Sequence, residues 1–423
     1  PGIYGLRLKA EKLIDTSLPA RDVVAWFDDY KPVTAGGTDK YLQAILKTGN
    51  EGKARAYLSD WWAATPLSRD DQRGLFRKYN RYINTAAHHK RLDMLLFRGQ
   101  HDNALAIAEV LGQGYPQLAR ARIALAAEAT DVDGLISAVP AKLQNDPGLL
   151  YERMRWRRRN DYNEGAIQVM RMMPAIEQIQ NPADWWLERH IIIRRYLEDK
   201  RYKEAYQLAS THKQVSGLPF AQAEWMAGWL ALRFLNDPVT AFNHFQTLHG
   251  NVSSPISKSR AAYWAGRAMK AAGNDEVARQ WYQSAAKFRT AYYGQMAASE
   301  LSIDGVITSD APPVLSPQEK AAFNADELIQ AARLFHLAGM RNTASDFLNA
   351  FVKHENSAKA YLYGADLAVE MKSFSDAINI SKQATSNGMF LTAQAYPTIT
   401  NELQGIGLEW ALVHALIRQE SVF

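Results

Sequence analysis

Seven times along this chain a short polar turn leads into a helical segment that carries an alanine near its start. The turns run from Arg98 to Ala104, Arg159 to Ala166, Asp199 to Ala205, Asn236 to Ala241, Gly273 to Ala278, Gly339 to Ala344 and Lys372 to Ala377. With the alanines as anchors, successive separations are 62, 39, 36, 37, 66 and 33 residues. Most steps therefore span one helical hairpin, and two span roughly double. Few folds accept such a spacing. Alanine at a helix crossing lets two backbones approach closely, and a hairpin built this way buries its remaining apolar face only against its neighbours. Elsewhere Ala, Leu, Gln, Lys, Arg and Glu recur at 3.6 spacing, while strand-like alternation is hard to find. The expectation is an all-α chain: a superhelical α-solenoid of helical hairpins, ring or horseshoe in form.

The array resembles tetratricopeptide repeats, although no strict consensus is kept. It is interrupted between Leu301 and Gln318, where Pro312 and Pro313 forbid a continuing helix and the text reads as a linker. A second helical block runs to about Gly388, and Tyr396-Pro397 breaks the chain again before a terminal helix.

Composition narrows the function classes. At 423 residues and 47% hydrophobic content, two or three domains with sizeable cores are expected. The absence of cysteine removes disulfides, thiolate zinc sites and cysteine nucleophiles together, and it fits an oxidising compartment. A net charge of +5 favours polyanionic partners such as nucleic acid, an anionic membrane surface or an acidic cell-wall polymer. No apolar run reaches the length of a membrane span. The chain starts at Pro1 without a signal peptide, and its last apolar helix has no stop signal; a processed chain from a longer parent is the expectation.

Most chemical signatures are missing. Gly49-Asn-Glu-Gly52 lacks the pattern of a phosphate-binding loop, Gly112-Gln-Gly114 lacks a third glycine, and His88-His89 shows no metal spacing. No metal or cofactor is expected. The run Arg153-Met-Arg-Trp156-Arg-Arg-Arg159 reads as a solvated helix more than as a grip on a polyanion. The dense aromatics, among them Trp185, Trp186, Trp225, Trp229, Trp264 and Trp281, read as packing between helices.

One acid stands out. Counting back from Glu420 by three, four and seven reaches Ile417, Leu416 and Val413, so Glu420 extends the apolar stripe of a helix opening near Gly407. A carboxylate held in apolar surroundings tends to stay protonated, as a general acid working near neutral pH must. The bland alternative is that the stripe ends and Glu420 frays into solvent.

Three passages together resemble one family. They are Glu224-Trp-Met-Ala-Gly-Trp-Leu-Ala-Leu-Arg-Phe234 with Asp237-Pro238; Ser259-Arg-Ala-Ala-Tyr-Trp-Ala-Gly-Arg-Ala268 continuing to Thr290-Ala-Tyr-Tyr-Gly-Gln-Met-Ala297; and Ala395-Tyr-Pro397 leading to Ala415-Leu-Ile-Arg-Gln-Glu-Ser421. In that order they look like the large soluble lytic transglycosylases of bacterial cell walls. The resemblance implies a superhelical helical-repeat domain at 1–305, a linker at 306–320, a helical linker domain at 321–391, and the start of a goose-lysozyme-like domain at 392–423. It implies a periplasmic enzyme that cleaves the peptidoglycan bond between N-acetylmuramic acid and N-acetylglucosamine and leaves 1,6-anhydromuramyl ends. Glu420 matches the family's catalytic glutamate, and Ser421 the neighbouring serine that orients acid or substrate. No second carboxylate is then required, because the muramyl 6-hydroxyl and not water is the nucleophile. Peptidoglycan would be the partner, with room for other cell-wall enzymes but none for nucleic acid or an integral membrane segment. The family's domain continues past the glutamate through groove-lining segments absent from these 423 residues, so the parent enzyme is expected to be active, this chain inactive, and Glu420 well hydrated. The rival reading is a non-catalytic helical-repeat scaffold that binds proteins.

Overall fold

The computed structural model describes residues 3–15, 17–303, 313–387, 389–398 and 407–420. Among these, all regular structure is helical, and the chain divides into two compact units, 2–251 and 252–423. Residues 304–312, which include the first part of the linker expected at 306–320, lie outside the described residues; Pro313 to Ser316 are non-helical and the next helix is Pro317–Ala325.

Each predicted alanine is the fourth residue of its helix, in His101–Leu111, Asn163–Arg171, Tyr202–Ser210, Pro238–Asn251, Asp275–Ala286, Arg341–Glu355 and Phe374–Ser386. All seven are buried, at 0 to 4% exposure. The turns share one backbone plan. Two residues before each helix begins, φ is positive: Gly99, Asp161, Lys200, Asn236, Gly273, Gly339 and Lys372. The alanine N–H then bonds to the carbonyl of the residue before the helix, as Ala205 does to Arg201 at 3.0 Å and Ala278 to Asn274 at 3.0 Å. An eighth turn with the same plan, Gly49-Asn50 before the helix Glu51–Ala64, places fully buried Ala54 in the same position. It stands outside the seven turns expected from the sequence.

Within 2–251 the hairpins close around Phe27, Leu42, Ile45, Leu58, Trp62 and Leu95 towards the start, and around Met154, Ile192, Ile193 and Leu230 further on. Trp185 and Trp186 are buried as expected of packing residues. Trp225 and Trp229 are half-buried and stack with ring centroids 5.8 Å apart. Within 252–423, Phe351, Leu348, Ala365 and Ile380 form the heart of a helical core between Ile329 and Leu391.

The arginine run departs from expectation. In the helix Pro147–Arg159, residues 153 and 155 to 159 are half-buried, not solvated. Arg158 donates from Nε and Nη2 to the two oxygens of Glu188 at 2.5 and 2.8 Å. Arg155 lies 3.6 Å from Glu152, Arg159 pairs with Glu128, and Arg157 donates to the Gly165 carbonyl at 2.9 Å. Both Glu152 and Glu188 are buried. A solvated face was the natural reading of the local pattern because Glu188 comes from the helix Pro182–Glu198, out of reach of any local spacing rule. Three of its five arginines, Arg155, Arg158 and Arg159, are thus spent on internal ion pairs.

Candidate functional site

The terminal helix is Trp410–Glu420, and none of its described residues is buried. Val413 and Ile417 are half-buried, whereas Leu416 is 53% exposed and Glu420 is exposed. The stripe read from the sequence is therefore only half covered, and its last member faces water. Arg418 is one anchor of the helix. Its guanidinium donates to the Ala395 carbonyl and lies 4.3 Å from the centre of the Tyr396 ring. At about 100° per residue, a position two before Glu420 points to the opposite side of the helix. The tether at Ala395-Tyr396 thus lies on the side away from Glu420. Ser421 lies outside the described residues.

An exposed carboxylate is within reach of a ligand and of water alike. General acid catalysis needs a closed, positioned site. Glu420 has the reach for that role without the enclosure.

A second polar cluster, not singled out in the sequence, lies within 2–251. Glu224 accepts from His212 Nε2 at 3.1 Å and from His244 Nδ1 at 2.7 Å, and the far nitrogen of His244 meets the Tyr206 hydroxyl at 3.2 Å. The Gln214 N–H donates to His212 Nδ1 at 2.8 Å, which leaves Nε2 as the nitrogen that carries the proton towards Glu224. Burial would raise the Glu224 carboxylate, but the hydrogen bonds it accepts from the two histidines outweigh that and hold it down at about 2. His212 and His244 are 12 and 20 residues from Glu224, so no local motif announces the cluster. Among the described residues no group of three acids or histidines could hold a metal ion.

No protein-family model and no curated protein matches the chain. Among solved structures, all of the chain matches 67% of the X-ray structure of an inactive mutant of the lytic transglycosylase Slt from Pseudomonas aeruginosa, with a TM-score of 0.71 and 18% identity. The chain shares that enzyme's fold. The match extends from the hairpin array through the terminal helix, since no part of this chain is left uncovered. At this identity the likeness is one of fold alone. The Cut9–Hcn1 hetero-tetramer of the APC/C also matches, over 89% of this chain and 76% of that one, at 12% identity; its TM-score of 0.22 carries no argument. No described helix is long and apolar enough to cross a membrane.

Proposed function

We propose that the chain serves peptidoglycan cleavage by lytic transglycosylation in the periplasm, with Glu420 as the catalytic acid. The observation that carries this reading is the full-length match to the fold of Slt, combined with an Ala-Leu-Ile-Arg-Gln-Glu-Ser segment at 415–421. Residues 1–305 form the superhelical repeat domain, 321–391 a helical linker domain, and 392–423 the opening of a lysozyme-like domain.

Glu420 gives its proton to the glycosidic oxygen between N-acetylmuramic acid and N-acetylglucosamine, and the bond from that oxygen to the muramyl anomeric carbon breaks. The carboxylate then takes the proton of the muramyl 6-hydroxyl, whose oxygen closes on the same carbon. One proton leaves and one returns, so the acid is regenerated without a second carboxylate. Ser421 orients the acid or the sugar. Glu420 is exposed among the described residues, without the closed groove this chemistry requires, and the 423 residues by themselves are expected to be inactive.

The test is digestion of peptidoglycan sacculi by the chain together with whatever follows Phe423 in the natural protein, with products read by mass spectrometry. Anhydromuramyl ends that disappear in Glu420→Gln support the proposal. Reducing muramic ends, or undiminished activity of Glu420→Gln, overturn it.

A further inference from the structure

A cleft of about 500 Å³ opens among the helices Asn163–Arg171, Pro182–Glu198 and Tyr202–Ser210, inside the 2–251 unit. Four cationic side chains line it against two carboxylates, Glu164 and Glu204. Both carboxylates are bound to one cation: Arg201 donates from Nη1 to Glu164 at 2.7 Å and from Nε to Glu204 at 3.1 Å. With Arg171, Arg189 and Lys213 counted in, four cations face two carboxylates and the lining keeps a surplus of two positive charges.

Arg189 is the unusual member. It is 5% exposed, and its two hydrogen bonds both leave from Nη1 to neutral oxygens, the Leu208 carbonyl at 2.8 Å and Thr211 Oγ1 at 3.0 Å. Burial alone lowers its basicity to about 10, with no carboxylate contributing in the other direction. Arg158, one helix away, shows the usual arrangement, its Nε and Nη2 gripping both oxygens of Glu188. In Arg189 the same Nε and Nη2 edge makes no hydrogen bond to a described residue. A buried guanidinium without a counter-charge is costly, and an incoming anion relieves that cost. Lys213 adds a second charge, its Nζ bonded to the neutral Met173 carbonyl at 3.0 Å. Part of the lining is apolar, formed by Ile167, Met170 and Leu208, each less than 9% exposed.

We propose that this cleft binds the C-terminal carboxylate of a short peptide. The carboxylate sits in two parallel bonds on the free edge of Arg189 with Lys213 and Arg171 beside it, and small alkyl side chains lie on Ile167, Met170 and Leu208. A bare inorganic anion would make no use of the apolar lining. The choice of a peptide as carrier of the carboxylate rests on the peptidoglycan reading, since that polymer bears short peptides ending in carboxylates; the preference for an anion does not.

The test is calorimetric titration of the 423-residue chain at low salt with N-acetyl-D-alanyl-D-alanine, with its C-terminal amide, and with inorganic phosphate. The free acid is expected to bind at least about tenfold more tightly than the amide. Arg189→Gln should weaken the acid by a similar factor and Arg171→Gln by a few-fold. Thermal unfolding of Arg171→Gln should match the parent. Equal binding of acid and amide, tighter binding of phosphate, no binding up to about 10 mM, or wild-type affinity in both variants overturns the assignment. If Arg189→Gln fails to fold, Lys213→Gln and Arg171→Gln decide, each expected to weaken the acid and not the amide. Sacculus digestion reads anhydro ends regardless of this cleft, so failure here and failure of the cleavage proposal are separable.

Discussion

Gly228 lies against the ring of Phe245 so closely that a Cβ at position 228 would sit 2.7 Å from Cε1 and 2.8 Å from Cζ. The same device recurs at Gly266, where a Cβ would meet Tyr282 Cδ1 at 2.7 Å. In both cases the aromatic follows its hairpin alanine, Ala241 or Ala278, by four residues, one helical turn further along the same face. The alanine admits the partner helix at the crossing, and the glycine then admits the ring.

Gly228→Ala is therefore expected to destabilise. Forcing one methyl into this contact costs about 1–3 kcal/mol, and the better helix propensity of alanine returns only about 1 kcal/mol. Gly250, in the neighbouring helix Pro238–Asn251 with nothing within 4 Å of its Cβ position, is the control. Gly250→Ala should be neutral or stabilising. Urea unfolding of the two variants should move the midpoint in opposite directions, and a shared direction would refute the packing argument.

The left-handed turn residue makes a separate prediction. Gly273 has φ of 78° and open space around its Cβ position, so any penalty there is one of backbone conformation alone. Gly273→Ala should lower stability by about 1–2 kcal/mol. Lys200 occupies the equivalent place in its own turn with φ of 59°. Lys200→Gly should raise stability by up to about 1 kcal/mol, less what the freer unfolded chain takes back. Thermal melts of both variants measure this, and a stabilising Gly273→Ala would show that the repeated turn is not what restrains these hairpins.

Acid should weaken the 2–251 unit through Glu224. Its carboxylate is held at about 2 in the fold, below the ordinary value of 4.5, so the stabilisation is complete above pH ~4.5 and is lost as pH falls towards 2. A shift of this size is worth at most about 3 kcal/mol, and partial contact with solvent reduces it to ~1–2 kcal/mol. Glu224→Gln should flatten the dependence of unfolding free energy on pH in that window. An unchanged slope between the variant and the parent would remove Glu224 as its source.

How much of this was legible in the sequence depends on how far each interaction reaches along the chain. All seven alanines picked from polar turns prove to be the buried fourth residue of a helix, because everything that places them lies within about five residues: one left-handed φ, one turn, one hydrogen bond back to the residue before the helix. Ala54 obeys the same rule, in a turn that reads as a failed phosphate loop and falls outside the seven-member series. The Arg153 to Arg159 run went the other way. Its helix was plain from periodicity, but Glu188, which neutralises Arg158, stands 30 residues on.

Glu420 shows the same division within one residue. Helical spacing correctly put it on the stripe of Val413, Leu416 and Ile417, yet spacing carries no information about what covers a stripe. The sequence by itself determined the helices, the repeated turn and the closeness of each hairpin, since these follow from backbone geometry and hydrogen bonds between near neighbours. Only the tertiary structure decided which charges meet: Glu188 with Arg158, Glu224 between His212 and His244, and Arg189 left facing a cleft without a counter-charge. The reason is physical. A charge is stabilised by whatever other helices bring within a few ångströms, and those helices come from 12 to 30 or more residues away.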